Sequence, residues 1–405
     1  MANHILSLPF WEGFIVSSVD VVDNCLHVRL AADPGCPLIC SHCGTPAPGV
    51  HDTVLRTVRD LPMGGLTVFL SMAVHRLKCP SCCRCCIQTI SWLDRHARVS
   101  RRLAQFVAHW SEKLPIAHVC ELTGLHWGTI HQIHRQALER KVAALPPPQP
   151  TRLVMDEFAL FKGHRYATVV LDADTRRVIW VCEGRSREAI RPFFAWLGPE
   201  RCRRIRAVAM DMNTAFDLEV KHHCRRAKVV YDLFHVIAKY GREVIDRVRV
   251  DEANRLRDDK TARQYVKRAR WLLLRNPGNV PADQTPKLAE LLAANQALMT
   301  VYVMKASLKE LWQPTDPWRW RWRWRAAWRT WQSMALSSAI EPLVRFAKRL
   351  ALYWRGILAR MRWPMHTGQL EGINNRIKVM KRMAYGYRDS EFFFLKIKAA
   401  FPGNP

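Results

Sequence analysis

The stretch TRLVMDEFALFKGHRYATVVLDADTRRVIWVCEGR runs from Thr151 to Arg185. It holds three short apolar runs, TRLVMDEFAL, YATVVLDADT and RRVIWVCEGR, with turns between them. Runs of this length, rich in β-branched and aromatic residues, read as a three-stranded meander. Working outward, SREAIRPFFAWLG predicts a helix with Ser186 as its cap and Glu188 behind it. RIRAVAMDMN predicts a fourth buried strand, TAFDLEVKHHCRR a helix, and AKVVYDLFHV a fifth strand.

Three strands, a helix, a strand, a helix and a strand is the order of a ribonuclease-H-like fold. In that layout Asp156 lies in the first, central strand. Asp211 ends the fourth strand, which lies beside the first. Strand-end carboxylates often only cap or solvate, but two at neighbouring strand ends suit Mg²⁺, a cation that takes hard oxygen ligands and keeps several waters. A two-metal site, with ions ~3.5–4 Å apart, needs a third acid. HTGQLEGINNRIKVMKRMAYGYRD, beginning at His366, offers one. Thr367 caps a helix there, Glu371 falls in its first turn, and Glu371, Asn374/Asn375 and Lys378 share a face at i, i+3/i+4 and i+7. A glutamate that only offsets the helix dipole is the alternative.

The rest of the chain bears on the partner. A net charge of +28 over 405 residues points to a polyanion, nucleic acid first. A membrane surface is the weaker choice, because no run of 18 apolar residues is present. The first residues, MANHILSLPFWEGFIV, lack a basic leader and are broken by Pro9 and Glu12, so a reducing, cytoplasmic location is expected. Eight of the thirteen cysteines then crowd between Cys36 and Cys86, which points to metal rather than disulfides. The pairs Cys40/Cys43 and Cys79/Cys82 have the form of two zinc knuckles, with a strand pair expected to fill the gap between them. Cys36, Cys83, Cys85 and Cys86 are surplus, any one of them a substitute ligand, and a set of buried free thiols is the alternative. SRRLAQFVAHWSEKL, capped by Ser100, and PIAHVCELTGLHWGTIHQIHRQALER, turning at Gly124, follow a helix-turn-helix pattern with His126 to Arg135 as the recognition helix. An ordinary helical hairpin carries the same pattern. ALPPPQP, from Ala144 to Pro150, is a stiff linker.

Taken together with VRDLPMGG, MDEFALFKGHRYATVVLD, MDMN and YDLFHV, these stretches resemble a bacterial insertion-sequence transposase of the ISL3 family, one of the DDE group. The resemblance covers nearly the whole chain, in the family's order. It implies a Mg²⁺- or Mn²⁺-dependent DNA transposase that cleaves and joins strands at terminal inverted repeats. Carried over by position, the triad is Asp156, Asp211 and Glu371, which also bind the magnesium. Lys378, seven positions after the glutamate, resembles a further DDE element. Asp232 and His235 resemble a D-x-x-H motif, with Asp232 the rival to Asp211 as second ligand and His235 its expected partner.

Asp211 and Glu371 stand 160 positions apart, so a domain is expected between them. Residues 236–362 carry 26 Lys and Arg against 11 Asp and Glu, together with nine tryptophans, at helical periodicity. Within it, DPWRWRWRWRAAWRTW opens with Asp316-Pro317 as a helix start. On a helix Trp320, Trp324, Trp328 and Trp331 form one stripe, read as core, while Trp318 and Trp322 fall among the arginines. The expected fold class is multidomain α+β. A zinc-ribbon-like β module spans 1–95, a helix-turn-helix 96–145, and the first part of a ribonuclease-H-like α/β core 150–235. An all-α basic insertion spans 236–362 and the final helical part of the core 363–405. Arg135, Arg319, Arg321, Arg323, Arg325, Lys378, Lys381 and Arg382 are the candidate DNA contacts. The expected cofactors are Mg²⁺ (or Mn²⁺) and Zn²⁺. The expected partner is double-stranded DNA, both element ends and target, bound by a homodimer or larger assembly on the bacterial nucleoid. A transposase-derived regulator that binds DNA without cutting it is the alternative, and a membrane-active protein rests on the Trp/Arg run alone.

Overall fold

A computed structural model describes residues 10–404 apart from 162, 164, 312–319, 366, 367 and 385, and apart from the side chains of Pro277, Trp320, Arg321 and Gln369. Asp316, Pro317, Trp318, Arg319 and Thr367, and the side chains of Trp320 and Arg321, lie outside the described residues. The chain divides into two compact units, 1–144 with 380–395, and 145–379 with 396–405. The sequence reading kept 363–405 in one piece. The segment 380–395 groups instead with the first unit.

The first unit starts with a sheet ordered β1-β2-β4-β3, with a short β5 beside β4: β1 Phe14–Val22, β2 Cys25–Ala32, β3 Val50–Met63, β4 Leu66–Lys78 and β5 Cys85–Ile87. Two-residue turns set both hairpins. Asp23 and Asn24 adopt φ of 46° and 60°, and Gly64 and Gly65 φ of 58° and 81°, the left-handed pair that matches the twist of antiparallel strands. β3 and β4 are the strand pair that fills the gap between the knuckles. Three helices follow: α1 Arg101–Lys113, α2 Ile116–Thr123 and α3 Trp127–Ala143. Ser100 Oγ accepts from the Leu103 amide to start α1, and Gly124, at φ 64°, ends α2.

Asp60, the acid of VRDLPMGG, ties this sheet to α1. Its fully buried carboxylate accepts from Trp11 Nε1 at 2.9 Å, Ser100 Oγ at 2.5 Å and Arg102 Nε at 2.7 Å. Burial would raise its pKa, but the bonds from Arg102, Ser100, Trp11 and the Leu61 amide outweigh that and hold it below the ordinary carboxylate value.

The second unit is built on a sheet ordered β10-β9-β6-β7-β8, from β6 Arg152–Phe161, β7 Arg165–Asp172, β8 Arg177–Glu183, β9 Ala207–Met210 and β10 Lys228–Tyr231. The meander β6-β7-β8 is antiparallel, whereas β9 lies parallel to β6 and β10 parallel to β9. Helices α4 Arg187–Leu197, α5 Pro199–Arg204 and α6 Thr214–His223 connect these strands. β10 leads into α7 Leu233–Tyr240 and a π turn, Gly241–Ile245. Then come α8 Asp246–Arg255, α9 Lys260–Arg268, α10 Arg270–Leu274, α11 Thr285–Ala294, α12 Gln296–Glu310, α13 Trp320–Ser337, α14 Glu341–Leu350 and α15 Trp354–Ala359. The chain closes with α16 Gly368–Met383 and α17 Ser390–Ala400.

Buried residues of these helices share a cluster with the sheet. Leu153, Val208 and Tyr231 of the sheet belong to the same buried cluster as Val244, Tyr302, Trp328 and Phe346. The expected boundary at 235/236 falls inside α7, which enters that shared core through Val236 and Tyr240. α15 presses on β10, where a Cβ at Gly356 would meet the Tyr231 ring at 2.3 Å.

Candidate active site

The register of β6 on β9 pairs Leu153 with Val208 and Val154 with Ala209. Asp156 and Asp211 each stand two residues beyond Val154 and Ala209, so the parallel pairing carries both carboxylates to one level of the sheet. Asp156 Oδ1 accepts from the Glu157 amide at 2.8 Å and Oδ2 from Asn374 Nδ2 at 2.8 Å. Asp211 Oδ1 accepts from the Met212 amide at 2.5 Å. Both line a cavity of about 970 Å³ that Glu371, Asn374, Asn375 and Lys378 also line, so the predicted face of α16 is turned into it. Glu371 is exposed, in the first turn of α16. Burial, with Glu157 and Asp211 adding to it, pushes the Asp156 carboxyl up to about 6.

The Asp232 carboxylate accepts from the Phe234 amide at 3.0 Å, capping α7, and meets Arg360 Nη1 at 3.2 Å. His235 reaches Asp211, with Nδ1 3.8 Å from Oδ2.

Several cavity residues were not singled out from the sequence, among them Glu157, Arg185, Asn213, Phe234, Lys239 and Arg242. Glu157 is held by Arg185 at 2.8 Å and Asn213 at 3.4 Å. Lys239 and Arg242 had a readable signal, because they follow His235 at i+4 and i+7.

In the first unit Cys40, Cys43, Cys79 and Cys82 converge, all their Sγ atoms within 4.8 Å of one another. Among the described residues it is the only such group of three or more His, Cys, Asp or Glu; the three cavity acids do not converge as tightly. Cys40 and Cys82 lie 3.8 Å apart and Cys43 and Cys79 3.5 Å apart. Tetrahedral Zn²⁺ with Zn–S of about 2.3 Å needs S–S of about 3.8 Å, so the set fits zinc. A bond from the Cys82 amide helps to lower the Cys79 thiol to about 6, while burial and the thiols around it push Cys82 up to about 12. Of the surplus cysteines, Cys86 is the one drawn in, 3.2 Å from Cys40.

The helix-turn-helix residues are equally specific. Trp127 and His131 stack with ring centres 4.9 Å apart, Trp127 half exposed. Arg135 is engaged by Glu139 and Asp389, each at 3.3 Å. In α13 Trp324, Trp328 and Trp331 are buried and stacked, whereas Trp322, Arg323 and Arg325 are exposed. Arg382 is exposed, Lys381 half-buried, and Lys378 donates to Asn375 Oδ1 at 3.4 Å.

Three families match the chain in succession. Residues 37–83 match the zinc-finger of transposase IS204/IS1001/IS1096/IS1165, residues 88–137 the helix-turn-helix domain of transposase family ISL3, and residues 153–397 the DDE transposase of ISL3 type. The chain is 47% identical over 403 residues to the transposase for insertion sequence element IS1001 of Bordetella parapertussis, covering 98% of both chains. The chain belongs to the ISL3 family of transposases. It is also 26% identical over 377 residues to the transposase for insertion sequence element IS1557 of Mycobacterium tuberculosis, covering 87% of this chain and 83% of that one. The transposase therefore carries a zinc ribbon, a DNA-binding helix-turn-helix and a DDE domain, the equipment for DNA cleavage and strand transfer. Among the described residues no helix is long and apolar enough to cross a membrane.

Proposed function

We propose that the second unit is a ribonuclease-H-like core interrupted by an all-α insertion. In this reading Asp156, Asp211 and Glu371 hold divalent metal, Mg²⁺ or Mn²⁺, to cut DNA at terminal inverted repeats. The observation that carries it is the shared cavity, which Asp156 and Asp211 enter at one level and Glu371 faces from α16. The strand order, with only the meander antiparallel, supports the ribonuclease-H-like assignment. Helices alone, among the described residues of 236–362, support the insertion.

The donors fit the metal. They are hard oxygens, and Asn374 Oδ1, buried beside Asp156, has no partner among the described residues. A bound pair of such ions supplies Lewis-acid activation of the attacking oxygen and stabilises the leaving one. Asp156, Asp211 and Glu371 are the residues that would hold them. Asn374 fixes the Asp156 carboxylate, and His235 stands beside Asp211. Water first attacks the phosphorus at the element end, and the bond to the 3′ oxygen breaks to leave a 3′-hydroxyl. That hydroxyl then attacks a target phosphate, forming one phosphodiester and releasing one strand end.

Cys40, Cys43, Cys79 and Cys82 hold structural Zn²⁺, and the helix-turn-helix reads the double-stranded ends. Two ends need two active sites, hence a homodimer or larger complex, working on the nucleoid in the cytoplasm. A regulator that binds without cutting needs none of the three acids. The test is cleavage of labelled end DNA in Mg²⁺ or Mn²⁺. Asp156→Asn, Asp211→Asn and Glu371→Gln abolish cutting and leave end binding intact, whereas Asp232→Asn is milder because its carboxylate serves α7 and Arg360. Cutting by Asp211→Asn but not by Asp232→Asn refutes the assignment.

A further inference from the structure

The cavity is unevenly neutralised. Of its acids, Glu157 is matched by Arg185 and Asp232 by Arg360. Asp156, Asp211 and Glu371 have no Lys or Arg partner among the described residues, which suits their role toward metal. The cations show the converse. Arg185 is taken, and Lys378 meets a neutral amide oxygen. Lys239 and Arg242 line the same cavity with no carboxylate partner among the described residues. They are too far from the open acids to pair with them, since ion pairs form within about 4 Å. One cavity thus holds acids short of cations and cations short of an anion.

Lys239 and Arg242 share a stripe with His235, the neighbour of Asp211. At about 100° per residue the three fall within roughly 60° of one another. Arg242 stands in the π turn, a wide turn that often marks functional sites. Glu243 beside it is engaged by Arg349, so the acid nearest in sequence is turned to another partner. Gly241 lets this turn pack tightly, since a Cβ there would meet Leu274 Cδ2 at 2.9 Å. At the start of the same helix Phe234 also lines the cavity. It is 64% exposed, held by the Asp232 cap, with its ring edge-on to His235 at 5.6 Å. An exposed aromatic of that size beside paired acids offers a face to a base.

We propose that Lys239, Arg242 and Phe234 form a subsite for one nucleotide of the DNA being cut. Lys239 and Arg242 grip a phosphate next to the scissile one, and Phe234 stacks on its base. The proposal rests on the reading of Asp156, Asp211 and Glu371 as the metal-binding acids, since it places the subsite along the strand they act on.

The experiment uses the full chain and labelled duplexes of the element's end, with one methylphosphonate at a time replacing each phosphate around the cleavage site. Wild-type cleavage falls at the scissile phosphate and, by about 10- to 100-fold, at one neighbour. Lys239→Gln and Arg242→Gln lose a similar factor on unmodified DNA and become insensitive to methylphosphonate at that neighbour, and Lys239→Arg restores cleavage. Phe234→Ala loses about 5- to 100-fold on intact DNA but equals wild type when the matching base is removed. Melting curves of the variants match wild type. If wild type fails to cut with either metal, the metal-site reading fails. If it cuts, and the Gln variants lose activity while keeping the wild-type methylphosphonate pattern, the subsite is wrong. If the melting curves of the Gln variants shift, Lys239→Arg decides: cleavage restored with the wild-type methylphosphonate pattern supports the subsite, and cleavage lost with that pattern kept overturns it.

Discussion

Asn374 Nδ2 donates to Asp156 Oδ2 at 2.8 Å across 218 residues of chain, joining the first strand of the second unit's sheet to the helix that carries Glu371. Asn374 is buried and Asp156 is raised by burial, so the amide holds a carboxylate that has few other stabilising contacts. The bond also sets where Glu371, three residues earlier on α16, stands relative to Asp156.

Removing that amide acts on the metal site through its positioning. Asn374→Ala should lower end cleavage by about 10- to 100-fold at fixed Mg²⁺ and raise the Mg²⁺ concentration needed for half-maximal rate, as loss of an outer partner does at other metal sites. Asn375→Ala, on the exposed side of the same turn, should change the metal requirement little. A metal titration of cleavage for both variants is the check, and an unchanged half-maximal concentration in Asn374→Ala contradicts the role.

The cysteine cluster makes a stoichiometric prediction. Purified protein should carry about one Zn²⁺ per chain, and Cys79→Ser should lose it and unfold the first unit's ribbon. Cys83→Ser should keep it, because Cys83 is exposed. Metal analysis with circular dichroism decides, and full zinc content in Cys79→Ser removes that ligand from the set.

Much of this architecture was legible locally. Left-handed Asp23 and Asn24, the Ser100 and Ser186 caps and the Gly124 stop are written in single residues. The neighbouring positions of Asp156 and Asp211 were legible because strand order sets β9 beside β6. A strand pair between the knuckles was expected, but the bounds of Val50–Met63 were not legible, since its first six residues are exposed and show no alternation. Periodicity also says nothing of which distant group a side chain meets. It therefore missed the turn of His235 toward Asp211, the approach of Cys86 to Cys40 and the core that the helices share with the sheet.

Asp60 makes the first unit's stability depend on pH. Its folded pKa is lowered, so its contribution is fully present above the unfolded value near 4 and is lost as pH falls through the lower folded value. Asp60→Asn should cost about 3 kcal/mol near neutral pH, because Arg102 loses its buried partner. The gap between wild type and variant should shrink on acidification below about pH 4. Zinc loss at low pH affects both alike, so urea unfolding of the two across that range isolates Asp60. A gap that stays constant to the acid end rules out the carboxylate as its source.

The tryptophans of α13 divide into two jobs that separate experimentally. Trp324, Trp328 and Trp331 stack in sequence at 5.5 and 5.8 Å, and Trp331 Nε1 donates to the Met304 carbonyl at 2.9 Å, binding α13 to α12. Removing a buried ring of this size leaves a cavity the neighbours fill only in part, so Trp328→Ala should cost about 3–5 kcal/mol. Trp322 is 78% exposed between arginines, and Trp322→Ala should move stability by no more than about 0.5 kcal/mol. If its ring stacks on DNA and Arg323 and Arg325 meet phosphates, the two kinds of contact respond differently to salt. Trp322→Ala should therefore weaken DNA binding by a factor that survives added salt, whereas Arg323→Ala should weaken it and flatten the salt dependence. Thermal melts and binding isotherms at several salt concentrations read both effects. A large stability loss in Trp322→Ala with unchanged binding would place that ring in the core and overturn the division.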